Sequence, residues 1–227
     1  GVIHSIGVRR DSEAIADLTR LLRSRDAHVA TAAEVSLGQI GNRQATQTLA
    51  QALTSAPDAV RSGIAEGCIL CAERLLAEGE AEQAAGLYDK VRKADVPKQR
   101  VVEATRGAIL ARQPGGIELL VEQLQSADKV MFSLGLSIAR ELPGRQVTAA
   151  LATELGKASS HRQALLLLAL ADRTDEAVVP ALLRLAKDGP AQLRIAAIGL
   201  LGRAGDASCL PVLLGAAASD DAAMAEA

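Results

Sequence analysis

The chain has 227 residues, 49% of them hydrophobic, with 25 basic against 27 acidic side chains and a formal charge of −2. That is ample apolar material for an extended core, and it excludes a disordered chain. The near-neutral balance gives no basic track for nucleic acid, and no stretch approaches the roughly 20 apolar residues of a membrane-spanning helix.

Seven leucines recur at nearly one interval: Leu18, Leu49, Leu87, Leu120, Leu151, Leu182 and Leu213, in steps of 31, 38, 33, 31, 31 and 31 residues. A period in that range predicts a helical solenoid, in which each unit buries its apolar face only against a neighbour. In chain order, residues 2–7 read as the tail of a first helix, and a second helix follows near 12–24. AHVATAAEVSLGQIGN (27–42) reads as the next first helix, with a second helix near 43–54. Further second helices are predicted near 80–92, 115–126, 145–156, 175–187 and 206–217. Start signals of further units are Pro57-Asp58, Asp128 and Ser159-Ser160, and AQLRIAAIGLLGRAGD (191–206) reads as another long first helix. Asp220 opens one more helix over residues 220–227. Neither end carries a polar cap, so the chain reads as part of a longer one, with any export signal upstream of Gly1, or as one whose flanks pair with something else.

Both faces of the second helices are legible. Four residues after each key leucine stand Leu22, Leu53, Val91, Leu124, Leu155, Ala186 and Ala217, the same helix face and apolar throughout. Two residues after it stand Arg20, Gln51, Asp89, Glu122, Thr153, Arg184 and finally Gly215. Two residues turn a helix by about 200°, so this column points away from the core. Between the two best first helices, Ala33 aligns with Ala197, Leu37 with Leu201, Gly38 with Gly202 and Gly41 with Gly205. The small residues allow close helix approach. Gly41 and Gly205 suit a left-handed cap, with Asn42 or Asp206 starting the next helix. Pro180 and Pro211 fall in first helical turns, where proline is tolerated.

The pattern resembles HEAT repeats in their short bacterial form, as in phycobilisome-lyase-like proteins. The last repeat carries the motif in Leu193-Arg194, Ala196-Ala197, Leu201-Gly202, Gly205-Asp206, Pro211 and Leu213. The third unit, CAERLLAEGEAEQAAGLYDKV, is closer to a tetratricopeptide repeat, with Leu75, Gly79, Ala84, Tyr88 and Pro97 near that family's positions. The resemblance implies a single all-α domain over residues 1–227, a right-handed α–α superhelix of about seven helix pairs, incomplete at both ends. It also implies that second helices line a concave surface, which puts Arg20, Gln51, Asp89, Glu122, Thr153 and Arg184 there.

No chemistry-bearing constellation emerges from the residues. Cys68 and Cys71 form a CxxC pair inside a long helical pattern rather than at a helix N-terminus, and no second pair completes a zinc site; they read as small core residues. The cysteine count of three is too low for a disulfide framework and fits a reducing compartment or a periplasmic chain with buried thiols. His4, His28 and His161 lack ligand-spaced partners and read as surface or capping residues. Glu78, Glu80 and Glu82 flank the Gly79 turn, where carboxylates favour a helix start. The basic groups Arg9, Arg10, Arg20, Arg23, Arg25 and Lys90, Arg92, Lys93, Lys98, Arg100 are interleaved with acids and read as a salt-bridged surface. Arg61 and Arg194, at recurrent positions, are expected to pair with acids or carbonyls of adjacent units.

These readings leave three functions. The leading one is a non-enzymatic scaffold binding a protein or peptide along the concave column, with no metal, no cofactor, no nucleic acid and no membrane insertion. The resemblance alone adds a bilin lyase or other tetrapyrrole-handling protein. A HEAT-like DNA-binding protein comes third, since Tyr88 and Phe132 are the only aromatic residues and a basic groove is missing.

Overall fold

The computed structural model describes residues 1–219 and 222–226, and every regular element among them is helical. Packing divides the chain into two compact units, Gly1–Gly116 and Ile117–Ala227. The first unit contains α1 (Val2–Arg9), α2 (Ile15–Leu21), α3 (Ala27–Ile40), α4 (Arg43–Ser55), α5 (Asp58–Ala77), α6 (Ala81–Lys93) and α7 (Lys98–Ala111). The second contains α8 (Ile117–Gln125), α9 (Lys129–Glu141), α10 (Arg145–Lys157), α11 (Ser160–Ala171), α12 (Val178–Asp188), α13 (Ala191–Ala204), α14 (Leu210–Ala217) and α15 (Ala222–Ala225). Short 3-10 turns, Ser12–Ala14 and Ala207–Cys209, lead into α2 and α14. Odd-numbered helices from α1 to α13 are first helices and even-numbered ones from α2 to α14 are second helices, so the alternation predicted by the leucine period is present. The helix start expected at Asp220 lies outside the described residues.

Helices stack like on like within each unit. In the first, α3 packs on α1 and α5, α5 on α7, and α4 on α2 and α6; in the second, α10 packs on α8 and α12, and α11 on α9 and α13. Leu18, Leu49, Leu87, Leu120, Leu151 and Leu182 are all buried, as are Leu22, Leu53, Val91, Leu124, Leu155 and Ala186. This is the shared apolar seam. The last pair departs from it: Leu213 is half-buried and Ala217 exposed, while Leu210 and Leu214 are 54% and 67% exposed. No further second helix covers α14 among the described residues.

Small residues set the helix spacing where expected in α3 and not in α13. A Cβ on Gly38 would stand 3.0 Å from the Gly67 Cα, so α3 and α5 meet backbone to backbone. At the aligned Gly202 nothing lies within 4 Å, because no helix is laid against that face of α13 among the described residues. Gly41 ends α3 in the left-handed region at φ 56°, and Asn42 accepts from the Ala45 N–H at 2.9 Å. Gly205 does not repeat this: its φ is −76°, ordinary extended backbone. It is glycine for space instead, since a Cβ would meet the Leu201 carbonyl oxygen at 2.4 Å and Cys209 Sγ at 2.6 Å. In the third pair, Tyr88 is buried against Gly107, whose Cβ would lie 2.3 Å from the Tyr88 ring, and Pro97 precedes α7.

Arginines tie one repeat to the next. Arg74 on α5 donates to the Ile40 carbonyl at the C-terminus of α3, 34 residues earlier, at 2.6 Å. Arg173, its side chain 2% exposed, does the same for the end of α9, donating to the carbonyls of Ala139, Leu142 (2.7 Å) and Gly144 (3.1 Å) while pairing with Asp175 at 2.8 Å. These guanidinium groups satisfy carbonyls a helix end leaves orphaned, at its negative pole. Arg61 reaches the Asp95 carbonyl and carboxylate at 3.1 and 3.0 Å, as expected of it, and Arg100 pairs with Glu66. Arg194 differs: its Nε is buried without a hydrogen-bond partner among the described residues. The residue in the register of Asp95 is Asp221, which lies outside the described residues.

Leu151→Ala removes a fully buried seam residue and is expected to cost about 2–5 kcal/mol, whereas Leu214→Ala on the exposed face should change stability by less than about 0.5 kcal/mol. Urea unfolding of the two variants separates them; equal losses would refute the seam assignment.

Candidate functional site

Each unit has a groove between neighbouring second helices, and the first unit has a further one of about 490 Å3 between the first helices α5 and α7, lined by Glu66, Glu73, Arg100 and Glu103. In the first unit, α4 and α6 flank a groove of about 540 Å3. Gln47, Ala50 and Gln51 line it from α4, and Gln83, Gly86 and Lys90 from α6. In the second unit, α10 and α12 flank a larger groove of about 710 Å3. Its α10 wall is Arg145, Ala149, Ala152, Thr153 and Gly156; its other wall is Glu176 and Ala177, just before α12, and Pro180, Ala181, Arg184 and Asp188 of α12. Within each wall Ala149, Ala152 and Gly156, or Ala177, Pro180, Arg184 and Asp188, are three or four apart, the spacing of one helix face. Pro180 fits inside α12 because the first turn needs no N–H there.

The floor of the α10–α12 groove is small and apolar, and its rim is charged. Arg145, Glu176, Arg184 and Asp188 are exposed, and none forms an ion pair among the described residues. A Cβ added at Gly156 would meet nothing within 4 Å, so the groove is open above it. The groove can take a side chain or helix by apolar contact and offer unpaired charges at its edge.

The six column residues have different fates. Thr153 and Arg184 share the α10–α12 groove, and Gln51 lines the α4–α6 groove. Arg20 is exposed on α2 and paired with Asp17, and Glu122 is exposed on α8. Thr153 Oγ1 donates to the Ala149 carbonyl at 2.8 Å, which leaves its methyl for contact. Asp89 is engaged within its own unit: it is half-buried between Arg92, at 2.7 Å, and Arg112, the residue that follows α7. Burial works against its charge, but the Arg92 hydrogen bond and the Arg112 guanidinium hold the carboxyl below the usual carboxylate range. Its role is therefore to join α6 to α7. Arg145 and Glu176 were not singled out by sequence, although both stand six residues before a key leucine, a recurrence that could have found them.

The remaining candidates for chemistry are quiet. Cys68 and Cys71 are free and fully buried on α5; burial pushes both thiols up, so neither is a thiolate at neutral pH. His4, His28 and His161 are exposed. Glu78 pairs with Arg74 at 2.8 Å, and Glu82 lies in the first turn of α6. Among the described residues no three His, Cys, Asp or Glu side chains come together to hold a metal, and no helix is long and apolar enough to cross a membrane.

Residues 1–68 match the HEAT repeats family. That match, with the stacked helix pairs, defines the class: a HEAT-like, all-α repeat protein. No curated protein matches the chain. Two engineered proteins solved by the Northeast Structural Genomics Consortium are similar to it. One is 18% identical with a TM-score of 0.44, covering 99% of this chain and 71% of that one. The other is 19% identical with a TM-score of 0.27, covering 93% and 92% respectively.

The Asp89 pairing has a measurable pH signature. Its carboxyl is more acidic folded than unfolded, so the stability it contributes is present above the unfolded value near 3.9 and lost as pH falls through the lower folded value. Asp89→Asn is expected to cost roughly 1–2 kcal/mol at pH 7, with the gap to the unmodified chain narrowing as pH falls below the ordinary carboxylate value. Urea midpoints from pH 2 to 7 test this, and a gap independent of pH would contradict it.

Proposed function

We propose that this chain is a non-enzymatic scaffold that holds a protein or peptide partner along its second-helix face. The carrying observation is the α10–α12 groove of about 710 Å3, with an apolar floor of Ala149, Ala152, Ala181 and Gly156 and, at its edge, Arg145 and Arg184 without ion pairs among the described residues. HEAT repeats are generally protein-interaction scaffolds, and the match over residues 1–68 supports that reading for this chain. Shape does the work here: stacked helices hold a surface rigid, so a partner binds without ordering the scaffold. A helix laid along the stripe of small residues would approach closely, and its polar flanks would meet the charged rim. Gln51 and Lys90 in the α4–α6 groove extend the same mode to the first unit.

The test is position-specific crosslinking in cell extract. A photoreactive residue at Thr153 is expected to give discrete adducts, and the same residue at Leu168, 53% exposed on the first helix α11, is expected to give none. Gly156→Trp has room for its ring and should fill the groove, reducing adduct yield at least about tenfold, while Arg184→Glu weakens capture through the rim. Both variants should melt like the unmodified chain. Equal crosslinking from both positions, or capture that survives Gly156→Trp, would sink the proposal.

A further inference from the structure

Glu34 on α3 is fully buried, and neither carboxyl oxygen has a hydrogen-bond partner among the described residues. Its carboxyl fills a notch in α5: a Cβ on Gly63 would stand 1.7 Å from Glu34 Oε2. One turn further along α5, a Cβ on Gly67 would lie 3.0 Å from the Glu34 carbonyl oxygen, so the backbones of the two helices are also close beside the carboxyl. In the register of the repeats Glu34 aligns with Ile198, a buried aliphatic residue, so a glutamate occupies a core position.

The surrounding charges do not compensate it. On α5, Glu66 is the charge that reaches Glu34, and it is of like sign; Arg100 of α7 holds Glu66 from its other side. The other α5 charges are committed elsewhere or exposed: Arg61 to Asp58 and Asp95, Arg74 to Glu78 and the Ile40 carbonyl, and Glu73 on the surface. His4 and Arg9 on α1, Arg43 on α4 and His28 on α3 itself are exposed, and Asp17 and Arg20 on α2 pair with each other. None gives a hydrogen bond to the carboxyl. Burial first, and the Glu66 charge second, push the Glu34 carboxyl up to about 7. A carboxylate without donors is costly in such a place, and the neutral acid is the form that packs.

We propose that the α3–α5 junction is a proton-gated joint: protonated Glu34 seats in the Gly63 notch and locks the two first helices together, and its ionisation unseats them. Repeat stacks are held by nearest-neighbour interfaces, so one weakened interface becomes a hinge. Here the hinge lies between the pairs α3–α4 and α5–α6, and its opening alters the α4–α6 groove that Gln51 lines. This joint stands independently of whether the grooves bind a partner.

The direction follows from linkage. The closed junction binds the proton more tightly than the open one, so closure is strongest at or below the ordinary value of 4.5, weakens as pH rises to about 7, and is level above that. A change from 4.5 to about 7 sets a ceiling of roughly 300-fold on the closing equilibrium.

Hydrogen exchange of the full chain at pH 5, 6, 7 and 8, corrected for intrinsic rates, reads the joint directly. Amides of α3 and α5 should lose protection on the order of 100-fold from pH 5 to 8, while those of α10 stay level. Glu34→Gln should abolish that pH dependence, and Glu66→Gln should move its midpoint to lower pH. Carbon-13 NMR of the unmodified chain supplies an arm that needs no variant: the Glu34 carboxyl should titrate near 7. A carboxyl titrating at or below 4.5, α3–α5 protection that does not change with pH, or the same dependence in Glu34→Gln would each overturn the joint.

Discussion

A pair of short helices cannot cover its own apolar seam. Leu49 and Leu53 on α4, or Leu151 and Leu155 on α10, are buried because the next pair lies over them, and each in turn covers the pair before. Everything else in the fold follows from this dependence. It explains why Leu213, with no second helix over it among the described residues, keeps the sequence pattern without the full burial, and why Leu214 beside it is exposed. It also explains why the core is built from Leu, Ala, Val and Ile with two aromatic residues. Helices that meet at Gly38 and Gly67 have little room for rings, and Tyr88 is accommodated only because Gly107 yields the space.

Apolar seams alone are permissive about register, and the arginines restrict it. Arg74 and Arg173 cap the carbonyl ends of α3 and α9, 34 residues earlier in the chain, which is one repeat. A guanidinium fork aimed at two or three carbonyls has few geometries in which it is satisfied. A shifted stack would leave those carbonyls, and a buried cation, without partners. The polar ties thus select one alignment of layers that dispersion and burial would otherwise accept in several.

The candidate site was partly legible. Position two after each key leucine identified the outward face, and Gln51, Thr153 and Arg184 do line grooves. Asp89 shows the reach of that rule: helical phase says which way a residue leaves its own helix, and not that Arg112, just past the following helix, waits for it. Glu34 shows the opposite case. An isolated glutamate in an alanine-rich helix reads as a solvated residue, and only its aligned partner Ile198 hints at a core position. The notch at Gly63 that makes it bearable belongs to another helix, 29 positions away in the sequence.

By itself the sequence determined the all-α class, the alternation of first and second helices and the buried face of each, because those depend on local periodicity and on apolar residues recurring every 31 to 38 positions. Caps such as Asn42 and Asp128 were equally readable, being contacts within a few residues. Tertiary structure alone decided which glycines mark close approach and which face open space, which arginine meets which carbonyl, and that a carboxyl can be sealed between α3 and α5. Those outcomes depend on atoms brought together from different repeats, and nothing in the spacing along one helix specifies the shape of its neighbour.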